Sequence, residues 1–139
     1  MQSTRHRYVE IGRVVYVSSG VNEGKLAVVV DVVNGTRVLL DGPCSGVPRG
    51  AENLRHIQLT KFKLPLRVGA RTSSVKKAWE AGKTQDAWEK TIWAQKLKRR
   101  TLRANLTDFD RFKLMKAKQK RNKIIKVEMA KLKKQGNKK

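Results

Sequence analysis

The positive charge of this chain is confined to its second half. Residues 1–60 hold 7 Lys/Arg and 5 Asp/Glu, whereas residues 61–139 hold 26 and 6. A near-neutral, valine-rich segment therefore precedes one whose like charges repel each other in any compact arrangement. The first segment can fold around an apolar core of its own. The second needs a polyanion to neutralise it, and nucleic acid is the polyanion that this pattern predicts.

The length and composition set further bounds. At 139 residues the chain has room for one small domain and an appendage. The single cysteine, Cys44, cannot form an internal disulfide. No apolar run approaches the ~20 residues of a membrane-spanning helix, and residues 1–10 are polar and basic, unlike a secretory signal. We therefore expect an intracellular protein without a membrane segment.

Short apolar runs in the first half predict β-strands. Residues 25–33 are apolar on both alternating faces, which predicts a central strand in a curled sheet. Asn34-Gly35 predicts a tight hairpin with both residues at positive φ. Residues 44–50 contain two glycines and Pro48 and are predicted as a loop. Five short strands are expected in all, and the clearest runs lie at residues 12–17, 25–33, 36–41 and 55–60.

The expected fold class is mixed, β then α: a small β-barrel over residues 1–64, followed by two or three basic helices. Pro65 and Gly69 indicate a connector over residues 65–73. The helical extension is expected over 74–135, with Ser74, Thr84 and Thr107 as N-caps. A single last helix from Thr107 would be about 43 Å long. The final residues, 136–139, are predicted to be a disordered tail.

Catalytic and cofactor sites find little support in the sequence. The only histidines are His6 and His56, and nothing marks a nucleophile beside either. One cysteine and two distant histidines do not match a zinc site. The glycine loop at residues 20–26 lacks the spacing and the Ser/Thr of a phosphate-binding loop. We therefore expect no enzyme activity, no metal, no cofactor and no small-molecule substrate.

The basic runs predict contacts with nucleic-acid phosphates. Residues 96–103 and 111–126 contain no acid, whereas a solvated helix normally alternates Glu with Lys. Such contacts position a protein without reading bases. No recognition helix for DNA is evident, which favours RNA. The expected phosphate contacts are Lys96, Lys98, Arg99, Arg100, Arg103, Arg111, Lys113, Lys116, Lys118, Lys120, Arg121, Lys123 and Lys126, with Arg13, Lys25, Arg37 and Arg49 added from the barrel.

Five aromatic residues in the helical half have two possible roles. Tryptophan and phenylalanine rings can stack on bases, but at helical spacing beside other apolar residues they more often form a packing face. We therefore expect protein contacts, with neighbours or with the barrel, from Trp79, Trp88, Trp93, Phe109 and Phe112.

Two groups of motifs carry a family resemblance. Residues 12–17, Gly20 and residues 24–33 resemble a KOW element, although Ala27 stands where such elements usually have a second glycine. This resemblance implies that the barrel over residues 1–64 is an SH3-like barrel. Residues 41–49 (DGPCSGVPR) and 107–118 (TDFDRFKLMKAK) are more specific. They resemble the eukaryotic-type ribosomal protein family numbered fourteen of the large (60S) subunit. The resemblance extends over roughly residues 8–130.

The resemblance implies a structural component of the cytoplasmic large ribosomal subunit, assembled in the nucleolus. Its implied partners are large-subunit rRNA and neighbouring ribosomal proteins. Two alternatives remain open from the residues alone. One is a free-standing KOW-type RNA-binding factor in transcription or RNA maturation. The other is a nucleic-acid-modifying enzyme that uses Asp31, Asp41 or His56.

Overall fold

The computed structural model describes residues 7–136 and divides the chain into two compact units, Met1–Lys90 and Thr91–Lys139. The sequence placed the boundary at the connector 65–73 instead. The difference arises because the first helical residues after the connector bury their apolar side chains in the first unit. Residues 137–139, most of the predicted disordered tail, and His6 lie outside the described residues.

The described part of the first unit contains a five-stranded antiparallel sheet in the order β4-β3-β2-β1-β5. A short 3₁₀ turn, Leu54–His56, joins the last two strands. The predicted small barrel-like β fold, followed by helices, is confirmed. The strands are β1 (Arg13–Val17), β2 (Leu26–Val32), β3 (Arg37–Gly42), β4 (Val47–Asn53) and β5 (Ile57–Lys63).

β2 lies at the centre of the sheet, as predicted. Leu26 to Val30 are all buried, so both faces of this strand are covered. Register shifts near Val29 and Leu40 bend the strands, as β-bulges do, and help a small sheet curl. The inner face forms one apolar cluster of Val15, Val17, Ala27, Val29, Val38, Leu40, Val47 and Ile57.

The loop predicted over residues 44–50 is wrong in its second half, where β4 begins at Val47. β4 is an edge strand that pairs only with β3. Pro48 has no N–H to donate, and an edge strand tolerates this because one side of it has no ladder partner. The glycines and proline of this segment do not indicate a strand. The strand forms because its backbone pairs with β3.

The hairpin between β2 and β3 is confirmed, but its turn differs from the prediction. Neither Asn34 nor Gly35 has a positive φ. The Asn34 side-chain oxygen instead accepts hydrogen bonds from the backbone N–H groups of Thr36 (2.9 Å) and Arg37 (2.8 Å). A longer loop closed by a side chain therefore replaces the two-residue turn.

Residues 7–136 contain four helices, more than the two or three predicted: α1 (Thr72–Ala81), α2 (Thr84–Glu89), α3 (Ile92–Ala104) and α4 (Asp108–Gly136). The extra helix arises because the segment after Thr84 breaks at Lys90. Thr91 then caps α3, its hydroxyl accepting from the Ala94 N–H at 3.1 Å. None of the four helices is long and apolar enough to cross a membrane.

Two of the three predicted caps are wrong. Ser74 lies inside α1, which follows Arg71 without a side-chain cap. Thr84 is the first residue of α2, after Lys83 in a left-handed conformation, and its hydroxyl donates to the Trp79 carbonyl at 3.3 Å. The position before each helix is set by the turn that packs it against the sheet, which a capping residue alone does not reveal.

The third cap and the long helix are confirmed. The Thr107 hydroxyl accepts from the Asp110 N–H at 3.3 Å and donates to the Asp110 carboxylate at 2.8 Å. That hydroxyl and the ammonium of Lys113 hold the pKa of Asp110 below its ordinary value. The carboxylate therefore stays charged in the first turn, where it suits the helix dipole. From this cap α4 runs unbroken to Gly136.

Candidate nucleic-acid interface

Helix α3 presents four cations on one face, which we call the α3 stripe: Lys96, Arg99, Arg100 and Arg103. They recur at positions i, i+3, i+4 and i+7, which coincide on a helix surface. Together they line a surface concavity of about 390 Å³. No acidic residue occurs between Glu89 and Asp108. The stripe is thus an exposed positive surface that its own helix does not neutralise.

Helix α4 continues the positive charge along its length. Among the predicted contacts in α4, only Lys113 forms an ion pair within the described residues, with Asp110 at 3.1 Å. Arg121 donates to the neutral side chain of Asn122 at 3.1 Å. All the predicted cations of this helix are exposed: Arg111, Lys113, Lys116, Lys118, Lys120, Arg121, Lys123 and Lys126.

Cations occur all round α4, and the helical period places its exposed aromatic and aliphatic side chains on opposite sides. At about 100° per residue, one arc, which we call the aromatic–lysine face, carries Phe109, Phe112, Lys113, Lys116, Lys120 and Lys123. The opposite arc, which we call the aliphatic face, carries Leu114, Ile125, Met129 and Leu132, with the cations Arg111 and Lys118 among them. The sequence predicts an apolar face at this end of the helix from Ile124, Ile125, Val127, Met129 and Leu132, and three of these residues lie on the aliphatic face.

The two phenylalanines of the aromatic–lysine face are exposed, at 64% for Phe109 and 49% for Phe112. The Lys113 ammonium lies 4.3 Å from the centroid of the Phe109 ring, and the Lys116 ammonium lies 5.4 Å from that of Phe112. Cations at such distances are attracted by the ring face. Each ring thus carries a positive charge beside it and keeps much of its surface open.

The barrel cations do not form a comparable surface. Arg13 is turned inward, with its side chain 11% exposed, an ion pair to Glu10, and a hydrogen bond to the Thr60 carbonyl at 3.4 Å. The Lys63 ammonium, together with Arg13, holds the pKa of Glu10 below its ordinary value. Arg13 therefore joins the start of β1 to β5, and we leave it out of the interface.

Arg49 holds the connector against the sheet. Its guanidinium donates to the Ala70 carbonyl at 2.6 Å and lies 3.6 Å from the buried carboxylate of Asp41. Asp41 also accepts from the Thr72 hydroxyl at 2.7 Å, at the first residue of α1. Arg49, which the sequence analysis predicted to contact phosphates, thus helps to fix where α1 begins. Because its guanidinium is engaged within the first unit, as that of Arg13 is, we leave Arg49 out of the interface.

We expect Asp41→Ala to lower the free energy of unfolding by about 2 kcal/mol, because it leaves the Thr72 hydroxyl and the Arg49 guanidinium without their acceptor. Urea unfolding followed by tryptophan fluorescence measures this, since Trp79 and Trp88 are buried in the same unit. Asp31→Ala is the matched control, because the Asp31 carboxylate accepts from the adjacent Val32 N–H. Equal midpoints for the two variants would contradict this role of Asp41.

Lys25 and Arg37 lie at opposite ends of the sheet. The Lys25 ammonium donates to the Gly46 carbonyl at 3.2 Å, near the turn between β3 and β4. Arg37 begins β3 beside the Asn34 loop. Both side chains are solvent-accessible. The structure does not bring Lys25 and Arg37 together, so they are two separate positively charged positions on the surface of the first unit.

The three tryptophans differ in environment. Trp79 and Trp88 are 3% and 7% exposed, and the Trp88 ring stacks on Tyr16 of β1 with centroids 5.9 Å apart. Little of either side chain is therefore available to a neighbouring molecule. Trp93 belongs to the second unit and is half-buried.

The residues considered for catalysis serve separate local contacts. His56 Nδ1 lies 2.6 Å from the Glu52 carboxylate, while Asp31 and Asp41 have the partners given above. Burial and the Glu80 carboxylate raise the pKa of Cys44, which keeps this thiol protonated at neutral pH. Among residues 7–136 no three His, Cys, Asp or Glu side chains gather as metal ligands would.

Comparison with known proteins gives a consistent result. The family described as Ribosomal protein L14 matches residues 48–122. A Lumbricus rubellus protein named large ribosomal subunit protein eL14 is 47% identical over 128 residues, which is 92% of this chain and 84% of that protein. The Schizosaccharomyces pombe protein of the same name is 43% identical over 125 residues, 90% of this chain and 93% of that protein. With a family match over more than half of its length and such relatives along most of it, the chain belongs to the ribosomal protein L14 family.

Proposed function

We propose that this chain is a structural constituent of the cytosolic large ribosomal subunit that binds rRNA mainly through phosphates. The observation that carries the proposal is the surface of the second unit: exposed cations on α3 and α4 that few acids neutralise, in a chain of the ribosomal protein L14 family. Assembly into subunits in the nucleolus follows from the same proposal.

The α3 stripe supports binding to folded RNA. Four cations over two helical turns offer several donors to phosphates that lie close together. Three of the four are arginines, whose planar guanidinium groups can bind phosphate in a bidentate way. Its concavity is lined by these four cations and has no aromatic ring on which a base could stack. The stripe therefore suits backbone contacts, which fix position without reading sequence.

Helix α4 supports contacts on more than one side. Every residue from Arg111 to Gln135 is exposed, so this helix has no core of its own within the chain. Its cations suit surrounding rRNA, and its aliphatic face suits a neighbouring ribosomal protein. Burial of exposed aliphatic side chains would stabilise such a contact by roughly 25 cal/mol for each Å² removed from water.

A free-standing KOW-type factor would use similar phosphate contacts, so stoichiometry must distinguish the two functions. We expect the tagged chain to sediment with large subunits at one copy per particle and to remain there in moderate salt, because many contacts act together. Crosslinking with mass spectrometry on those particles should join α3 to rRNA. A substoichiometric chain that moderate salt releases would favour the free-standing factor, and a chain absent from the particles would contradict the ribosomal role.

A further inference from the structure

We propose that the aromatic–lysine face of α4 binds an unpaired RNA segment, with bases stacked on Phe109 and Phe112. The proposal rests on the rRNA-binding function above and assigns one surface of α4 to single-stranded RNA. The two rings lie on one face about one turn apart, and both are exposed. Two exposed aromatic rings side by side on one helix face offer an apolar surface of the kind that binding partners cover.

The charge around the rings favours RNA as that partner. Lys113 and Lys116 lie over the two rings, and Lys120 and Lys123 continue the same face at intervals of about one turn, or roughly 5.4 Å. Two acids lie near the rings in the first turn of α4: Asp110, which is bonded to Thr107 and Lys113, and Asp108, which precedes Phe109. An apolar protein surface would have to bury these ammonium groups without partners, which is costly. RNA supplies a phosphate for each ammonium group and a base for each ring.

The same geometry favours unpaired over duplex RNA. Bases in an A-form duplex are stacked on one another, so their faces cannot reach a ring on a protein helix. An unpaired strand exposes its base faces, and stacking on an aromatic side chain tolerates any base. The aromatic pair at one end of the face and the lysines beyond it therefore match a short single strand with its bases at the rings and its backbone along the lysines.

The test compares single-stranded and duplex RNA binding by the full chain. We expect Phe109→Leu and Phe112→Leu each to weaken binding to a single-stranded RNA oligonucleotide by about fivefold or more, because leucine keeps the apolar volume and loses the aromatic face. Binding to the duplex of the same sequence should change less than about twofold. The salt dependence of single-strand binding should stay the same, because no phosphate contact is removed.

Matched variants separate stacking from apolar contact and from charge. Leu114→Ala and Ile125→Ala on the aliphatic face should leave single-strand affinity unchanged. Lys120→Gln with Lys123→Gln should weaken single-strand binding and lower its salt slope by about 0.7 for each lysine removed. A 2-aminopurine base in the single strand should be quenched by the unaltered chain and less by the two phenylalanine variants, which reports stacking directly.

Three outcomes would overturn the proposal. The first is unchanged single-strand affinity in both phenylalanine variants, and the second is an equal loss for single strand and duplex. The third is photocrosslinking from position 109 or 112 to a ribosomal protein, and not to rRNA, in assembled subunits. If the unaltered chain binds duplex RNA with steep salt dependence while these tests fail, the proposed rRNA-binding function stands without this site. If the unaltered chain binds no RNA, both fail.

Discussion

Replacing the four cations of the α3 stripe with glutamine is expected to lower affinity for structured rRNA by about three orders of magnitude in about 0.1 M salt. Each cation that neutralises a phosphate releases a condensed counterion, and that release supplies much of the binding free energy at low salt. With four such contacts removed, the slope of log affinity against log salt should become shallower by about 3.6. The altered positions are Lys96, Arg99, Arg100 and Arg103.

A control with the same net charge change isolates the geometry of the stripe. Glutamine at Lys61, Lys76, Lys77 and Lys90 also removes four exposed cations, all from the first unit. We expect this control to retain most of the affinity, because these cations lie on β5, α1 and the end of α2 and form no single stripe. Filter binding to an rRNA fragment across a salt series measures both quantities. Equal losses in the two variants would show that net charge, and not the α3 surface, determines binding.

Gly12→Ala is expected to lower the free energy of unfolding of the first unit by at least about 3 kcal/mol. Gly12 has a φ of +81°, where a side chain is disfavoured, and a Cβ there would lie 2.0 Å from the Leu64 carbonyl oxygen. The Gly12 N–H donates to the Val29 carbonyl at 2.8 Å, and its carbonyl accepts from the Leu64 N–H at 2.7 Å. Relief of the clash would therefore break the contact between β2, the start of β1 and the end of β5.

Gly20→Ala is a control that separates the cost of the steric clash from the cost of the backbone conformation. Gly20 also has a positive φ, of +95°, but no atom lies within 4 Å of the position a Cβ would take. We expect this variant to cost only about 1–2 kcal/mol, the conformational part alone. Urea unfolding monitored by tryptophan fluorescence compares the two. A Gly12 variant no less stable than the Gly20 variant would mean that the backbone around Leu64 can move aside.

Features that depend on neighbours in sequence were predictable. The valine alternation of β2, the Thr107 cap and the i, i+3, i+4, i+7 spacing of the α3 cations follow from the pleat and from the helical turn. The length of α4 followed in the same way, because no Pro or Gly interrupts residues 108–135. The family resemblance was readable from residues 41–49 and 107–118, and the comparisons confirm it.

Features that depend on distant residues were not predictable. β4 exists because its backbone completes a ladder with β3, although its own sequence contains Pro48 and Gly50. The break at Lys90 separates α2, whose Trp88 packs on Tyr16, from α3, which Thr91 caps. Local composition does not record the β3–β4 ladder or the Trp88–Tyr16 contact, and the sequence prediction included neither a strand at Val47 nor a fourth helix.

The partition of charge, by itself, predicted a polyanionic partner for the second half of this chain, because like charges repel wherever the chain places them. It could not determine which cations are available. In the tertiary structure, Arg13 contacts Glu10 and Thr60. Arg49 contacts Ala70 and Asp41. The cations of α3 and α4 are exposed. The physical reason is that the Thr60 and Ala70 carbonyls, which are far from these arginines in sequence, come within reach of the two guanidinium groups only in the folded chain.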